Sequence, residues 1–268
     1  MFGRNEIVGQ KYFVGTQDKL FVTSIFHTLQ GEGPYSGRPA VFIRLAKCNL
    51  ACSFCDTFFD DGDWLNVGEI EARIRLALES TDRSKVGIVI TGGEPMLQQN
   101  VGLLCKALLG NHAFVQIETN GIIYQDIPEA VTLVVSPKCA EKNGVVLSYL
   151  KPHPKMLARA DCLKFVVEDK MGSPYSAVPD WAFDFTKDIY ISPMNMYNDV
   201  PRDAKMLRIE TGAVSMQKRS TIDEIVSFWE PGLLNMAQNQ KNHEYAARYC
   251  LEHNFILSLQ THLYAGIA

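Results

Sequence analysis

The sequence contains no apolar run of the length that a transmembrane helix needs, and its N-terminus lacks the apolar core of a signal peptide. It also lacks an excess of positive charge, because 26 Lys and Arg residues stand against 30 Asp and Glu residues, which gives a net charge of −4. These absences argue against a membrane partner and against a nucleic-acid groove. We expect a cytoplasmic protein whose partners are neither membranes nor nucleic acids.

An even set of cysteines is also absent, since the chain has seven. Secreted disulfide frameworks favour an even number, so the count agrees with a reducing compartment. Four of the cysteines are scattered along the chain. We expect these four to be small buried hydrophobic residues: Cys105, Cys139, Cys162 and Cys250.

No internal repeat, low-complexity run or linker divides the chain. Its 268 residues, of which 47% are hydrophobic and 21% charged, are enough for an ordinary globular core. We predict one domain over residues 1–268, with possible insertions at 170–187 and at 198–232. The first of these is rich in proline and aromatic residues, and the second includes a candidate amphipathic helix at 221–229.

The remaining three cysteines, Cys48, Cys52 and Cys55, lie in one short loop with the spacing C-x3-C-x2-C. Three close thiolates can hold three irons of a [4Fe-4S] cube and leave the fourth iron without a protein ligand. S-adenosylmethionine needs such an open iron in order to chelate through its amino and carboxylate groups. With Phe54 before the last cysteine, the loop resembles the radical S-adenosylmethionine signature. Zinc is the alternative, but it prefers four protein ligands in two pairs, and no second close pair exists here.

Strands and helices alternate along most of the chain. Apolar runs predict strands at 20–26, 40–46, 86–90, 114–117, 131–135, 162–167, 188–191 and 255–260, and helical patterns cover 67–80, 98–109 and 233–253. Polar motifs with glycine or proline follow several strands directly, and in parallel α/β folds the carboxyl ends of the strands carry the site. We therefore predict the α/β class, with mostly parallel strands and the site at their carboxyl ends.

Several motifs together resemble the 7-carboxy-7-deazaguanine synthase family, which belongs to the radical S-adenosylmethionine superfamily. They are F-H-T-L-Q-G-E-G, G-R-P-A-V-F-I-R-L, the cysteine loop ending in C-D-T, T-G-G-E-P, E-T-N-G, V-S-P-K and the terminal L-S-L-Q-T-H. Residues 24–138 are covered almost continuously, whereas 142–160 and roughly 198–232 match nothing. The resemblance adds a specific fold type, the incomplete barrel of the radical S-adenosylmethionine enzymes.

The resemblance also implies a reaction. S-adenosylmethionine is cleaved to a 5′-deoxyadenosyl radical, which takes hydrogen from C6 of 6-carboxy-5,6,7,8-tetrahydropterin. The pterin ring then contracts and loses ammonia, which gives 7-carboxy-7-deazaguanine for 7-deazapurine biosynthesis of the queuosine type. The cofactor supplies the hard chemistry, and the protein positions the reactants and excludes water.

Ligands for each cofactor and for the substrate follow from the same resemblance. Cys48, Cys52 and Cys55 hold the cluster, and Thr57 binds Mg2+, although Asp56 is chemically as suitable. An electron donor such as flavodoxin or ferredoxin and a homodimer are also implied. The residues implied for S-adenosylmethionine are Gly93, Ser136, Pro137, Lys138, Ser192, Pro193, Met194 and Asn195. Those implied for the pterin are Leu29, Gln30, Gly31, Arg44, Thr91, Glu118 and Ala268.

Arg44 interrupts an apolar strand, and its chemistry alone leaves two interpretations equally open. It is either a solvent-facing or paired residue, or a bidentate ligand for a carboxylate at the barrel mouth.

Two other functions of the protein also stay open at this point. One is an activase that generates a glycyl radical on a partner protein, and the other is a zinc-stapled binding module without catalysis.

Overall fold

The computed structural model describes Asn5 and residues 18–142, 145–198, 227–229 and 232–267. Three predictions lie wholly or mostly outside these residues: the substrate contact at Ala268, the helix at 221–229 and the insertion at 198–232. The strands are β1 (Lys19–Leu29), β2 (Pro39–Leu45), β3 (Asp63–Asn66), β4 (Gly87–Gly92), β5 (Val115–Thr119), β6 (Thr132–Val135), β7 (Cys139–Lys142), β8 (Val145–Tyr149), β9 (Cys162–Val167), β10 (Ile189–Pro193) and β11 (Ile256–Leu257). The helices are α1 (Val67–Leu78), α2 (Val101–Leu108), α3 (Pro154–Arg159), α4 (Met236–His253) and α5 (Thr261–Ala265).

One large sheet organises the described residues. Its nine strands lie in the order β11-β10-β9-β6-β5-β4-β2-β1-β3, and β7 and β8 form a separate hairpin. From β2 to β11 every neighbouring pair is parallel, whereas β1 is antiparallel to both β2 and β3. Because β3 and β11 end the order without pairing to each other, the sheet is open. The predicted class, a mostly parallel and incomplete barrel, is confirmed.

Helix α1 illustrates how local sequence sets an element. The side chain of Asn66 accepts the N–H of Glu69, and the Glu69 side chain accepts the N–H of Asn66, which together form a capping box. Ile70 and Ile74 lie on the buried face, which packs against β1 and β3. The helix was predicted to reach residue 80, but it ends at Leu78 because the next residue adopts a positive φ of 48°.

Two predicted elements have different bounds in the structure. The helix expected from residue 98 begins at Val101, because Pro95–Leu97 form a 3-10 turn and the backbone is extended at Gln98 (φ −89°, ψ 115°). The strand expected at 255–260 is limited to Ile256–Leu257, since the chain turns into α5 at Thr261. Strands β3, β7 and β8 were not predicted, because their four or five residues are largely polar or exposed.

Buried side chains join most of these elements. One hydrophobic cluster extends from Leu20 in β1 to Cys250 in α4. The expectation that Cys105, Cys139, Cys162 and Cys250 are buried is confirmed. Residues 170–187 contain only two short 3-10 helices, Pro174–Ser176 and Asp180–Asp184, and their status as an insertion stays a prediction. No helix in the described ranges is long and apolar enough to cross a membrane.

Candidate active site

A cavity of about 200 Å3 lies at the carboxyl ends of the parallel strands. This is where side chains from successive loops converge in parallel α/β folds. Most of the sequence-predicted site residues line it: Cys48, Cys52, Cys55, Thr57, Thr91, Gly93, Glu118, Ser136, Lys138, Ser192, Pro193, Met194 and Asn195. Leu29, Gln30, Gly31, Arg44 and Pro137 are not among the residues that line it, although several bond to residues that are.

The three cysteines of the motif share one wall of this cavity. The Cys55 N–H donates to the carbonyl of Cys52 at 3.1 Å, and the Leu50 N–H donates to Sγ of Cys48 at 3.4 Å. Burial raises the pKa of Cys52 to about 11, the pKa of Cys55 to about 12, and the pKa of Cys48 further still. Thiolates here therefore need a cationic partner, which bound iron supplies. This donor set fits a cluster with one iron per cysteine.

A single-ion zinc site does not fit the same loop. Within the described ranges, no three His, Cys, Asp or Glu side chains come close enough to share one metal ion. Structural zinc requires four such ligands on one ion. In a [4Fe-4S] cluster each cysteine binds a different iron, so the three thiols do not need to reach one shared metal ion.

The two glycines at the end of β4, Gly92 and Gly93, pack against the backbone that leads into the cysteine loop. A Cβ on Gly93 would lie 2.0 Å from the carbonyl oxygen of Lys47, and a Cβ on Gly92, whose φ is 127°, would lie 2.1 Å from that of Leu45. The Gly93 N–H donates to the Leu45 carbonyl at 2.9 Å. Both glycines are therefore required by the chain's own packing. Contact of Gly93 with S-adenosylmethionine stays a prediction.

Glu94, the acidic residue of the same motif, is fully buried and does not line the cavity. Its carboxylate accepts from the Thr119 hydroxyl at 2.6 Å and from the Asn120 N–H at 2.8 Å. Burial raises its pKa, against the effect of these hydrogen bonds. Glu94 thus ties the end of β4 to the end of β5, which fixes two loops of the site.

A buried ion-pair network, consisting of Glu32, Glu118 and Lys164, lies in the cavity wall. Nζ of Lys164 donates to Glu32 Oε2 at 2.7 Å and to Glu118 Oε2 at 2.9 Å. Lys164 is 5% exposed. Burial acts to lower its pKa, but the two carboxylates prevail and raise it above the ordinary lysine value.

Two glutamines complete this network. Glu118 Oε1 accepts from Nε2 of Gln30 at 3.0 Å and from Nε2 of Gln116 at 2.8 Å. The Gln30 side-chain oxygen in turn accepts the Glu32 N–H at 3.1 Å. Sequence reasoning named Gln30 and Glu118 but missed Glu32 and Lys164. The available signal was a lysine within the apolar strand C-L-K-F-V-V, which resembles the interruption at Arg44.

Arg44 and Thr57 are in direct contact. Nη1 of Arg44 donates to the Thr57 hydroxyl at 2.9 Å, and that hydroxyl donates to Asp56 Oδ1 at 3.1 Å. The guanidinium carbon lies 5.3 Å from the ring centre of Phe26. No carboxylate of the described residues forms a salt bridge with Arg44. The predicted metal ligand and the predicted carboxylate ligand are therefore neighbours.

The chain after β11 packs on the loop that follows β1. The Thr261 N–H donates to the Gly31 carbonyl at 3.1 Å, and a Cβ on Gly31 would lie 2.3 Å from Nδ1 of His262. Gln260 lines the cavity and accepts from Nδ2 of Asn195 at 2.5 Å. Gly31 therefore allows the segment after β11 to pack closely against the loop that follows β1.

Lys138, Ser136 and Ser192 also line the cavity, and they differ in whether their polar groups have hydrogen-bond partners within the protein. Nζ of Lys138 donates to the carbonyl of Ser136 at 2.8 Å and to its hydroxyl at 2.6 Å. Burial lowers the pKa of Lys138. The Ser192 hydroxyl is buried and has no partner among the described residues. An unpaired buried hydroxyl in a cavity wall favours a polar ligand there.

Comparison with known proteins identifies the family. The chain is 35% identical over its whole length to a 7-carboxy-7-deazaguanine synthase of Rickettsia prowazekii, 96% of which is covered. The chain belongs to the 7-carboxy-7-deazaguanine synthase family. A synthase of the same name from Rhodospirillum rubrum is 39% identical over 184 residues, which are 67% of this chain and 71% of that one.

Two further comparisons agree with this family assignment. The model of the Radical SAM superfamily matches residues 43–135, which include all three cysteines of the loop. The crystal structure of QueE from Escherichia coli superposes with a TM-score of 0.60 and 21% identity, over 91% of this chain and 94% of that one, and supports the fold. The resemblance drawn from the sequence is confirmed. Membership of the superfamily brings a [4Fe-4S] cluster, S-adenosylmethionine and an external electron donor.

Proposed function

We propose that this chain is a 7-carboxy-7-deazaguanine synthase, which converts 6-carboxy-5,6,7,8-tetrahydropterin to 7-carboxy-7-deazaguanine with loss of ammonia. The observation that carries the proposal is one cavity with two kinds of wall, the cysteine loop and the buried ion-pair network. This arrangement occurs in a chain that matches a synthase of that name over its full length. The product enters 7-deazapurine biosynthesis of the queuosine type.

The cluster side of the cavity binds the cofactors. Cys48, Cys52 and Cys55 hold three irons, and the polar groups on the neighbouring strand ends bind S-adenosylmethionine. When bound, these groups supply the electron and the radical chemistry of the reaction. The chain's own contribution is to hold the reactants in register and to exclude water from the cavity. The residues assigned to S-adenosylmethionine are Gly93, Ser136, Pro137, Lys138, Ser192, Pro193, Met194 and Asn195.

The substrate side binds the pterin. Arg44 receives the substrate carboxylate, because its charge lacks an acidic partner in the described chain and its planar fork suits a carboxylate. Glu118 accepts one N–H of the aminopyrimidinone edge through the acceptor site that remains at Oε2. Gln30 acts through the network, since both ends of its amide are bonded to protein. Leu29, Gly31, Thr91 and Ala268 complete the proposed contacts.

Magnesium is part of this proposal. Mg2+ prefers oxygen ligands and usually combines one or two protein groups with substrate oxygens and water. The Thr57 hydroxyl and the Asp56 carboxylate are adjacent oxygens beside the position assigned to the substrate carboxylate. We assign Thr57 as the ligand and Asp56 as its orienting neighbour.

The remaining partners follow from the same activity. The electron donor is flavodoxin or ferredoxin, because either delivers a single electron at low potential to an iron–sulfur cluster. The enzyme acts in the cytoplasm as a homodimer. Gel filtration with light scattering measures the dimer, and a monomer in that experiment would contradict it.

The proposed function is tested with the protein reconstituted with iron and sulfide under anaerobic conditions. Incubation with the carboxytetrahydropterin, S-adenosylmethionine, Mg2+ and a reductant should yield 7-carboxy-7-deazaguanine, detected by its mass and ultraviolet spectrum. About four irons per chain are expected for a single cube. Cleavage of S-adenosylmethionine without the deazapurine product would contradict the proposal and favour an activase. A zinc-loaded protein without iron would favour the binding module.

A further inference from the structure

The buried ion-pair network joins three distant parts of the chain. Glu32 lies in the loop after β1, Glu118 lies in β5, and Lys164 lies in β9. Their hydrogen bonds form a closed ring, because Lys164 bonds to both carboxylates while Gln30 links Glu118 to the Glu32 N–H. Only a group at the position of Nζ closes this ring.

Counting hydrogen-bond acceptors shows how firmly each carboxylate is held. Oε1 of Glu118 accepts two N–H bonds and Oε2 accepts one from Lys164, so three of its four lone-pair sites are used. Glu32 is held through Oε2 alone, and the hydrogen bonds of the described residues leave its Oε1 free. Because Lys164 bonds to both carboxylates, it sets the distance between the acceptor sites that remain free on Glu32 and Glu118.

The charge of the network indicates what kind of ligand it faces. Within the network, two carboxylates and one ammonium leave one negative charge, with side-chain exposures of 18%, 16% and 7% for Glu32, Glu118 and Lys164. The next cation of the wall, Lys138, donates to the carbonyl and hydroxyl of Ser136. A buried negative charge is stabilised by a ligand that presents N–H donors. The aminopyrimidinone edge of a pterin has this chemistry, and a carboxylate-bearing edge does not.

We propose that Lys164 is a positioning residue that sets the orientation of the pterin ring through Glu32 and Glu118. It holds the two carboxylates at a fixed separation, so the N–H edge of the ring binds in one register and the opposite, carboxylated side lies towards Arg44. This inference rests on the proposed function, because the ligand it orients is the proposed substrate.

Two substitutions separate positioning from simple charge balance. Lys164→Arg keeps the positive charge in the network but moves the hydrogen-bond donor atoms. Lys164→Met removes the charge and the donors together. If Lys164 only balanced charge, the arginine variant would bind the pterin as wild type does. Because displaced donor atoms would misplace a charge-assisted hydrogen bond to the ring, we expect the arginine variant to weaken pterin binding about 10- to 100-fold, the scale of one such bond.

The measurement is titration calorimetry on the reconstituted protein with S-adenosylmethionine and Mg2+ present and the reductant omitted, so that no turnover occurs. The probe is 6-carboxy-5,6,7,8-tetrahydropterin. Iron content and affinity for S-adenosylmethionine should match the wild type in Lys164→Arg, and kinetics with reductant should show a raised KM for the pterin. Lys187→Met is the control, because Lys187 pairs with Asp161 outside the cavity.

Gln116→Leu gives a second test that leaves every charge in place. It removes one of the two donors to Oε1 of Glu118. The expected loss of pterin affinity is about threefold to tenfold, the scale of one hydrogen bond. This variant carries the test if either Lys164 variant loses iron or unfolds.

The outcomes distinguish this inference from the proposed function. Failure of the wild-type protein to bind the pterin would overturn the proposed function. Wild-type binding together with unchanged affinity in a folded, iron-loaded Lys164→Arg would overturn the positioning role alone. Weakened pterin binding with unchanged affinity for S-adenosylmethionine supports the positioning role.

Discussion

The two walls of the cavity are built in different ways. The cysteine wall comes from one short loop, in which the spacing of Cys48, Cys52 and Cys55 already places the three thiols on the same side of the site. The ion-pair wall is assembled from three segments that meet only after the sheet has formed. A local motif therefore defines the cofactor chemistry, whereas the tertiary fold defines the recognition of the substrate.

The largest expected effect comes from the cysteine wall. Each thiolate fixes one iron, so Cys48→Ala, Cys52→Ala and Cys55→Ala should each abolish turnover. Cys250→Ala, in a buried position remote from the cavity, should leave turnover largely intact. Iron content and product formation are measured for all four variants. Full activity in any loop variant would remove the basis for assigning this wall to a cluster.

The next expected effect concerns the packing that supports this wall. Gly93→Ala forces a Cβ to within 2.0 Å of the Lys47 carbonyl oxygen, so the cysteine loop must shift. We expect a loss of about 1–3 kcal/mol in the free energy of unfolding, together with a lower iron content. Gly68→Ala is the control, because its added Cβ meets only an ordinary contact at 3.4 Å. Urea denaturation measures both, and equal stabilities would show that the loop tolerates a side chain at Gly93.

A substitution at Arg44 tests how the substrate carboxylate is recognised. Lys keeps the charge and loses the planar fork, so Arg44→Lys should weaken pterin binding by ~1–3 kcal/mol, the scale of a charge-assisted hydrogen bond. Cluster content and S-adenosylmethionine binding should be unchanged. The control ligand is a pterin without the carboxyl group, which the variant should bind as well as wild type does. If the wild type and Arg44→Lys prefer the carboxylated pterin to the same degree, a group other than Arg44 binds the carboxylate.

The smallest expected effect concerns magnesium. Thr57→Val keeps the shape of the side chain and removes the hydroxyl that accepts from Arg44. The concentration of Mg2+ needed for half-maximal activity should rise, while the affinity for S-adenosylmethionine should change little. Asp56→Asn provides the matched comparison. An unaltered magnesium titration in Thr57→Val would assign the metal to Asp56 or remove it from the site.

Hydrophobic periodicity and short-range spacing predicted the alternating strands and the cysteine loop, and the family resemblance added the incomplete barrel. The sequence did not predict β3 or the β7–β8 hairpin, because β3 and β7 are short and largely polar and the apolar residues of β8 are largely exposed. Nor did it identify Glu32 and Lys164 as partners, since 132 residues separate them. Pairs of this kind are determined by the order of strands in the sheet, which no local pattern contains.

Some residues proved to have roles that their motifs did not indicate. Gly93 was expected to allow close approach of S-adenosylmethionine, and the structure adds a requirement for glycine that comes from the chain's own backbone. Glu94 belongs to the same motif and ties two strand ends together from a fully buried position. A motif can therefore be necessary for the site without every member contacting a ligand.

The central claim is that the radical formed at the cysteine wall reacts with a pterin held by the ion-pair wall. The most direct measurement uses carboxytetrahydropterin with deuterium at C6 and the reconstituted protein under reducing conditions. Because the overall conversion removes only ammonia, the hydrogen that leaves C6 must be returned later in the reaction. The account predicts that deuterium reaches the 5′ carbon of the adenosyl group, in 5′-deoxyadenosine or in S-adenosylmethionine re-formed from it, while 7-carboxy-7-deazaguanine accumulates. Formation of 5′-deoxyadenosine without the label, at the same rate with and without the pterin, would contradict it.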